Sequence, residues 1–261
     1  MHRRSRPPRG QHFLHDRRIL ERIASSVPIA EGRRVVEIGA GEGALTEFLL
    51  AAGARVTAIE IEPALAGRLR ERFSADEAFE LVEGDVLEID LAALIAERSR
   101  QPVLVAGNLP YYITSPILRK LFDAAGQVEQ AVFLMQREVA ARVTARKGSR
   151  DYGFLSVLCR LYAEPKLLFA VSAGAFRPPP RVTSAVVRLS MRRDHPVDPG
   201  FVEFAKSCFA QPRKKLLNNL SGRYDRGLLA RLEQSQKRAQ QLDLEELQEF
   251  FTLLEKKPRP V

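Results

Sequence analysis

The chain has 261 residues, and its 41 Lys and Arg side chains outnumber its 32 Asp and Glu side chains, giving a formal net charge of +9. The excess favours a nucleic-acid partner, because each phosphate contact releases condensed counterions; the alternative is that the basic residues are solvated faces. Only Cys159 and Cys208 are present, which excludes a disulfide framework and a cysteine-type zinc site. No run of about 18 apolar residues occurs, so we expect a cytoplasmic protein without a membrane partner.

The first basic cluster opens the chain. Residues 3–18 contain six arginines and a single acid, Asp16. The segment lacks the apolar core of a secretion signal, and its shortness and Pro7-Pro8 favour a flexible RNA-contacting arm over a mitochondrial transit peptide. We predict a basic arm and lid over residues 1–18, in which Gly10 to Leu14 cross a bound cofactor.

Short β-branched apolar runs then alternate with longer segments of helical period as far as about Leu189. This alternation is typical of βα units and a mainly parallel sheet. The predicted strands are Arg34–Ile38, Arg55–Ile59, Glu80–Glu83, Val103–Ala106, Ala131–Met135, Lys166–Val171 and Ala185–Ser190. No helical segment separates the last two, which are expected to pair antiparallel at one edge. By analogy, the fold class is α/β, a Rossmann-like, seven-stranded class I methyltransferase sheet with a reversed edge hairpin.

The alternation stops near Pro196, and residues 199–255 are helical in period. We predict a catalytic domain over residues 1–194 and a small helical domain that binds RNA or the ribosome over residues 195–261. Two basic stretches are expected to contact RNA phosphates. Their residues are Arg137, Arg142, Arg146, Lys147, Arg213, Lys214 and Lys215.

A glycine-rich turn follows the first predicted strand, with Gly39, Gly41 and Gly43 at every second position. Such glycines let the backbone approach a ligand, although their spacing departs from the dinucleotide pattern G-x-G-x-x-G. Glu37 precedes the turn, where a carboxylate repels a pyrophosphate and attracts an ammonium or sulfonium group. This combination favours S-adenosylmethionine.

Two further acids end the next two strands. Glu60 follows Gly39 by 21 residues, a spacing that suits a ribose-binding carboxylate. Asp85 is placed to accept a hydrogen bond from the adenine amino group. The alternative for Glu60 and for Asp85 is that each caps the following helix.

The tetrapeptide Asn108-Leu109-Pro110-Tyr111 follows a strand that reads as buried, at the edge where open α/β sheets bind ligands. The exocyclic nitrogen of adenine is a poor nucleophile until it becomes pyramidal. Two acceptors aimed at its N–H bonds favour that geometry and the positive charge that grows on nitrogen. We predict that the Asn108 side-chain oxygen and the Leu109 carbonyl are these acceptors, that Pro110 holds the turn, and that Tyr111 stacks on the base.

A second aromatic ring is predicted to close a sandwich around the base. Phe176, in a loop stiffened by three prolines, is the candidate; the alternative places its ring in the core beneath that loop. Tyr112 is the alternative to Tyr111 as the stacking ring. His12 and His15 have no neighbouring ligands in the sequence, so no metal site is expected.

Six motifs together resemble the KsgA/RsmA-type small-subunit ribosomal RNA adenine dimethyltransferases. In chain order they are Gly10-Gln11-His12-Phe13-Leu14, Glu37-Ile38-Gly39-Ala40-Gly41-Glu42-Gly43, Asn108-Leu109-Pro110-Tyr111, Gln136-Arg137-Glu138-Val139, Tyr152-Gly153-x-Leu155-Ser156 and Phe176-x-Pro178-Pro179-Pro180-x-Val182-x-Ser184. The resemblance is strongest over residues 9–190. In this chain His12 and Tyr112 stand where asparagine is common in the family.

The resemblance implies N6,N6-dimethylation of two neighbouring adenosines in the hairpin loop near the 3′ end of 16S ribosomal RNA. It implies S-adenosylmethionine as the methyl donor and a late precursor of the 30S subunit as the substrate. The cofactor contacts that it implies are His12, Leu14, Gly39, Glu60, Asp85 and Asn108. Nothing in the sequence suggests an obligate subunit interface, so we expect a monomer.

Two other functions compete with this one. The first is a macrolide-resistance methyltransferase that acts on 23S ribosomal RNA with the same fold and chemistry; Leu109 and the triple proline after Phe176 favour the small-subunit enzyme. The second is a non-catalytic ribosome assembly or transcription factor. The intact Asn108–Tyr111 turn and the three strand-end acids argue against a loss of catalysis.

Overall fold

The structure is a computed structural model that describes residues 12–192 and 197–255. Residues 1–11, which hold most of the predicted basic arm and the start of the Gly10–Leu14 lid, lie outside the described part. In the described part, no helix is long and apolar enough to cross a membrane.

The central sheet has seven strands, which are β2 Arg34–Ile38, β3 Arg55–Glu60, β4 Phe79–Glu83, β5 Val103–Asn108, β6 Val128–Gln136, β7 Ala163–Val171 and β9 Ser184–Met191. Their order in the sheet is β4-β3-β2-β5-β6-β9-β7, which confirms the predicted α/β class. Strands β4, β3, β2, β5 and β6 run parallel to one another. Strand β9 pairs antiparallel with β6 and lies between β6 and β7.

A second, two-stranded sheet was not predicted. Strand β1 (Phe13–Leu14) pairs antiparallel with β8 (Phe176–Arg177). Each strand has only two residues, too few to produce an alternating pattern in the sequence. The pair fastens the segment that begins at His12 to the loop that carries the three prolines.

Helices connect the strands and make up the C-terminal part of the chain. Their bounds are α1 Arg17–Ala24, α2 Ala44–Ala51, α3 Pro63–Arg72, α4 Leu91–Arg98, α5 Thr114–Asp123, α6 Arg137–Thr144, α7 Phe154–Tyr162, α8 Pro199–Cys208, α9 Leu216–Leu220, α10 Arg226–Ala230, α11 Glu233–Gln236 and α12 Leu244–Glu255. Several start at an aspartate whose carboxylate accepts hydrogen bonds from the first turn. Asp16 accepts from the backbone N–H groups of Arg18 and Ile19, and Asp90 accepts from that of Ala93.

The chain divides into two compact units, and the division differs from the predicted boundary at residue 194. Among the described residues, one unit contains residues 12–140 and 166–191, and the other contains residues 141–165, 192 and 197–255. Helix α7 has the place of an ordinary crossover helix in the sequence, but Val157 and Leu161 are buried in the hydrophobic cluster of the C-terminal helices. The helical unit therefore draws on an internal segment of the chain.

In the first unit, Gly107 lets β5 approach β2 closely. A Cβ atom at Gly107 would lie 2.4 Å from the Ile38 carbonyl oxygen, closer than any side chain tolerates. Glycine here allows the next residue, Asn108, to end its strand beside the turn that follows β2.

Candidate active site

A cavity opens in the first unit at the carboxyl ends of β2, β3, β4 and β5. Open α/β sheets bind their ligands at this edge, and particularly where the strand order reverses, as it does between β2 and β5. Each of the four strands sends its last residues or the following turn into the wall, and the segment around β1 completes it. The lining includes His12–Leu14, Glu37–Glu42, Ile59–Ile61, Gly84–Leu87 and Asn108–Ile113.

The glycine turn after β2 has left-handed backbone at Gly39, Gly41 and Gly43, with φ angles of 72°, 59° and 78°. Residues other than glycine rarely adopt this backbone conformation. A Cβ atom on Gly41 would come within 3.2 Å of the Phe13 ring. The turn thus presents bare backbone to the cavity, as its spacing in the sequence suggests.

Glu60 is buried at the end of β3, and its carboxylate holds the glycine turn in place. One oxygen accepts a hydrogen bond of 2.7 Å from the Gly41 N–H, and the other accepts one of 3.0 Å from the Glu62 N–H. A carboxylate oxygen offers two lone pairs, so each can accept a further hydrogen bond from a ligand hydroxyl. Glu60 stabilises the turn and also lines the cavity.

Asp85 likewise combines a local bond with a place in the cavity wall. Its Oδ1 accepts a hydrogen bond of 2.9 Å from the Leu87 N–H. That contact closes the turn after β4 and leaves Oδ2 as a second acceptor. The alternative that Asp85 caps the following helix is wrong, because that helix, α4, is capped by Asp90.

Glu37 is almost fully buried, with 1% of its surface exposed, and lines the same cavity. The pKa of its carboxyl is raised to about 8, mainly by burial and to a smaller extent by the charge of Glu60. A hydrogen bond of 2.6 Å from the Thr46 hydroxyl acts in the opposite direction, because it favours the ionised form. In the ligand-free protein at neutral pH, Glu37 is therefore mainly a neutral acid. From the sequence, Glu37 was expected to be an ionised carboxylate. The spacing of motifs carries no information on how far burial removes a side chain from water.

This raised pKa predicts a specific dependence of stability on pH. An exposed glutamate titrates near 4.5, whereas folded Glu37 titrates near 8, so the folded state holds the extra proton between these values. The contribution of Glu37 to stability is complete below pH 4.5 and is lost as pH rises towards 8. As the pH rises through this window, the free energy of unfolding of the parent should fall relative to that of Glu37→Gln, by at most about 1.4 kcal/mol per pH unit. Denaturant titrations of the cofactor-free proteins at pH 5, 6.5 and 8 would measure the difference; parallel pH profiles would contradict it.

Asn108, the last residue of β5, has an amide whose orientation follows from its partner. Its Nδ2 donates a hydrogen bond of 3.1 Å to the His12 carbonyl oxygen. A carbonyl only accepts, so the NH₂ group must face His12, and Oδ1 is left as an acceptor. The Leu109 N–H donates to the Leu134 carbonyl at 2.9 Å, and no described residue donates to the Leu109 carbonyl oxygen.

The turn after Asn108 is held by several hydrogen bonds. The Pro110 carbonyl accepts from the Thr114 hydroxyl at 3.1 Å and from the Ile113 N–H at 3.2 Å. The Tyr111 hydroxyl shares a hydrogen bond of 2.5 Å with the Ser184 hydroxyl at the start of β9, and partial burial raises its pKa. Its ring lies 5.7 Å from the His12 ring, measured between centroids. The ring of Tyr111 is thus fixed beside the cavity. In the sequence, Ser184 stands only as the last residue of the Phe176 motif, with no contact to Tyr111 predicted, and Thr46 was not singled out.

The two histidines near the N-terminus bind backbone carbonyls. His12 Nδ1 donates to the Pro178 carbonyl at 2.7 Å, and His15 Nδ1 donates to the Ala175 carbonyl at 2.6 Å. The tautomers follow because a carbonyl cannot donate. Together with β1 and β8, these bonds hold His12 and Leu14 at the cavity wall.

The structure does not bring Phe176 to the cavity as the sequence predicted. Its side chain is 2% exposed and packs in the hydrophobic core of the first unit, and it is absent from the cavity lining. Its backbone pairs with Leu14 through β8. This arrangement matches the alternative prediction, in which Phe176 is a core residue beneath the proline loop. Tyr112, by contrast, lines the cavity and is 70% exposed.

The basic residues predicted to bind RNA are divided between the units. Arg137 is exposed in the first unit, and the other six are exposed in the helical unit. Lys147 is engaged by Asp243 at 2.7 Å and Glu246 at 2.8 Å, so its charge is compensated. Lys215 donates to the Gln236 side chain at 3.3 Å.

Comparison with known proteins places this arrangement in a family. The family model described as ribosomal RNA adenine dimethylase matches residues 2–256. A ribosomal RNA small subunit methyltransferase A from Acidobacterium capsulatum is 45% identical over 96% of this chain and 91% of its own length. The Pseudomonas aeruginosa protein of the same name is 41% identical over 83% of this chain and 82% of its own.

Solved structures agree on the fold. A dimethyladenosine transferase from Plasmodium falciparum has a TM-score of 0.80 at 24% identity, over 94% of this chain and 98% of the other. The 23S rRNA methyltransferase ErmE has a TM-score of 0.71 at 29% identity, over 93% and 99%. The sheet is that of a class I methyltransferase, and the chain belongs to the ribosomal RNA adenine dimethylase family.

Proposed function

We propose that this enzyme transfers methyl groups from S-adenosylmethionine to N6 of two adjacent adenosines in the 3′-terminal hairpin loop of 16S ribosomal RNA, on a 30S subunit precursor. The observation that carries the proposal is the fixed Asn108 amide, whose NH₂ group is bound by the His12 carbonyl so that Oδ1 remains an acceptor at the cavity. The names of the two relatives support the small subunit as the site of action.

The cavity fits S-adenosylmethionine in its donor set. Glu60 and Asp85 supply carboxylate oxygens at neighbouring strand ends, suited to ribose hydroxyls and to the adenine amino group. The left-handed turn at Gly39 and Gly41 leaves room for the cofactor beside the backbone. When bound, S-adenosylmethionine supplies an electrophilic methyl group.

Glu37 responds to the positive charge of such a ligand. A nearby cation favours the ionised carboxylate and lowers the pKa that burial has raised. Binding of a cationic cofactor near neutral pH is therefore coupled to loss of a proton from Glu37, and Thr46 stabilises the carboxylate that forms.

Catalysis rests on two acceptors at one turn. Asn108 Oδ1 and the Leu109 carbonyl oxygen accept hydrogen bonds from the adenine amino group and stabilise the charge that develops on its nitrogen. Both acceptors are preorganised, Asn108 by the His12 carbonyl and Leu109 by the Leu134 carbonyl. Tyr111, held by Ser184, provides an aromatic face for the base.

The helical unit is proposed to bind the ribosomal RNA through exposed cations around Arg213. Replacing Arg213, Lys214 and Lys215 by glutamine should weaken RNA affinity and lower the salt slope by roughly 0.7–0.9 for each phosphate that is no longer neutralised. Filter binding to 30S subunits at several salt concentrations measures this slope. A matched control is Lys206→Gln with Lys237→Gln, since both lysines already pair with glutamates. A slope equal to that of the parent would remove the patch from the interface.

Primer extension across both ribosomal RNAs from a deletion strain tests the choice of substrate. We expect loss of modification at the two adenosines of the 16S hairpin and its return when the gene is restored. Loss confined to 23S RNA would instead support a macrolide-resistance methyltransferase that acts on 23S RNA. The similarity to ErmE over 93% of the chain favours this alternative.

A further inference from the structure

Tyr112 is an exposed aromatic residue at the rim of the cavity, and neither cofactor binding nor the acceptors of the Asn108 turn require it. Among the large apolar side chains of the described residues it is the most exposed, at 70%. It also belongs to the cavity lining. An aromatic face left in water beside a ligand site is a surface on which a planar group can stack.

The other aromatic rings near the base site are already engaged. The Tyr111 hydroxyl is bonded to Ser184 and its ring lies beside His12, whereas Phe176 is buried in the core. The Phe13 ring packs against Gly41 of the glycine turn. Of these aromatic rings, Tyr112 keeps the most open face.

Tyr112 is attached to a rigid support. It lies between Pro110, whose carbonyl accepts two hydrogen bonds, and Thr114, where α5 begins. The side chain itself has two principal torsions, so little conformational entropy is lost when its ring is covered. A rigid, exposed ring of this kind suits the positioning of a nucleic-acid strand.

We propose that Tyr112 is a positioning residue that stacks on the nucleobase next to the adenosine held in the cavity. The proposal rests on the proposed function, in which the target adenosine has an adjacent adenosine. When one base enters the cavity, its neighbour remains at the mouth, where the Tyr112 ring is exposed. Stacking there fixes the strand and aligns the target with the acceptors of the Asn108 turn.

The chain contains no tryptophan, so Tyr112→Trp creates a single fluorescent reporter at the rim. The probe is a synthetic RNA hairpin with two adjacent loop adenosines, compared with the same hairpin whose two loop positions are abasic. Unmethylated 30S subunits serve as a second probe. The intact hairpin or the 30S subunit should quench the emission through stacking, and the abasic hairpin should not. Leu253→Trp, at an exposed position of the helical unit, is the control for quenching unrelated to the cavity.

Equal quenching by the intact and abasic hairpins would overturn the proposal, since the two differ only in bases. Absence of quenching by both the hairpin and the 30S subunit would also overturn it. If each probe quenches Leu253→Trp as strongly as it quenches Tyr112→Trp, the signal is not specific to the rim, and the proposal is overturned as well.

Kinetics on unmethylated 30S subunits give an independent test. Tyr112→Ala should raise KM for the subunit roughly 10-fold, the size typical when a base-stacking ring is removed. Tyr112→Phe should restore the KM of the parent, and the Kd for S-adenosylmethionine should be equal in all three proteins. Unchanged KM in Tyr112→Ala, or weaker cofactor binding that accounts for the defect, would contradict the proposal. If the parent itself does not methylate 30S subunits, the proposed function is wrong. If the parent methylates them and Tyr112→Ala has the same KM, the proposed function stands and the stacking role of Tyr112 is wrong.

Discussion

Asn108→Ala is expected to slow methyl transfer at least about 30-fold, which corresponds to about 2 kcal/mol of transition-state stabilisation. The substitution removes an acceptor whose orientation is set by the 3.1 Å bond from Nδ2 to the His12 carbonyl. The measurement is a single-turnover rate at saturating S-adenosylmethionine on unmethylated 30S subunits, because saturation separates the chemical step from cofactor affinity.

The melting temperature of Asn108→Ala should be measured beside the parent, since loss of the His12 hydrogen bond alone could loosen β1. A slowed rate in a protein that melts with the parent supports the acceptor role. An unchanged single-turnover rate would dispose of it.

Glu60→Ala is expected to raise the Kd for S-adenosylmethionine at least about 100-fold, because hydrogen bonds to a charged group contribute roughly 1.5–3 kcal/mol each. The change removes the proposed ribose acceptor and leaves the N–H groups of Gly41 and Glu62 without the carboxylate that binds them. Isothermal titration calorimetry of the purified variant gives the Kd directly.

Glu62→Ala is the matched control for Glu60→Ala, because it removes a carboxylate two residues away that does not line the cavity. Its Kd should stay near that of the parent. If Glu60→Ala binds and methylates like the parent, the proposed cofactor site is wrong. A Glu60→Ala protein that still supports subunit assembly without methylating would separate an assembly role from catalysis.

The sequence predicted the parts of this molecule that follow from local pattern. The β2 strand has the predicted bounds, because a short run rich in β-branched residues between turn residues is typical of a strand. The acids at Glu60 and Asp85 and the turn at Asn108 could be located because each stands at or just after the carboxyl end of a predicted strand. Parallel strands bring these ends to one edge of the sheet.

Features that depend on packing escaped prediction. Phe176 looks like an exposed loop residue, but the two-residue pairing of β8 with β1 draws it into the core. Helix α7 has the period of a crossover helix, and only the packing of Val157 and Leu161 assigns it to the helical unit. The neutral state of Glu37 depends on desolvation, which arises when β2 is covered on both sides.

Methylation of 16S ribosomal RNA by this enzyme can be measured directly by mass spectrometry of ribosomal RNA fragments, after the protein is incubated with unmethylated 30S subunits, 50S subunits and isotopically labelled S-adenosylmethionine. We expect labelled N6,N6-dimethyladenosine at two adjacent positions in the 3′-terminal hairpin loop of 16S RNA, and none in 23S RNA. Label confined to 23S RNA, or no label transferred to either RNA, would contradict it.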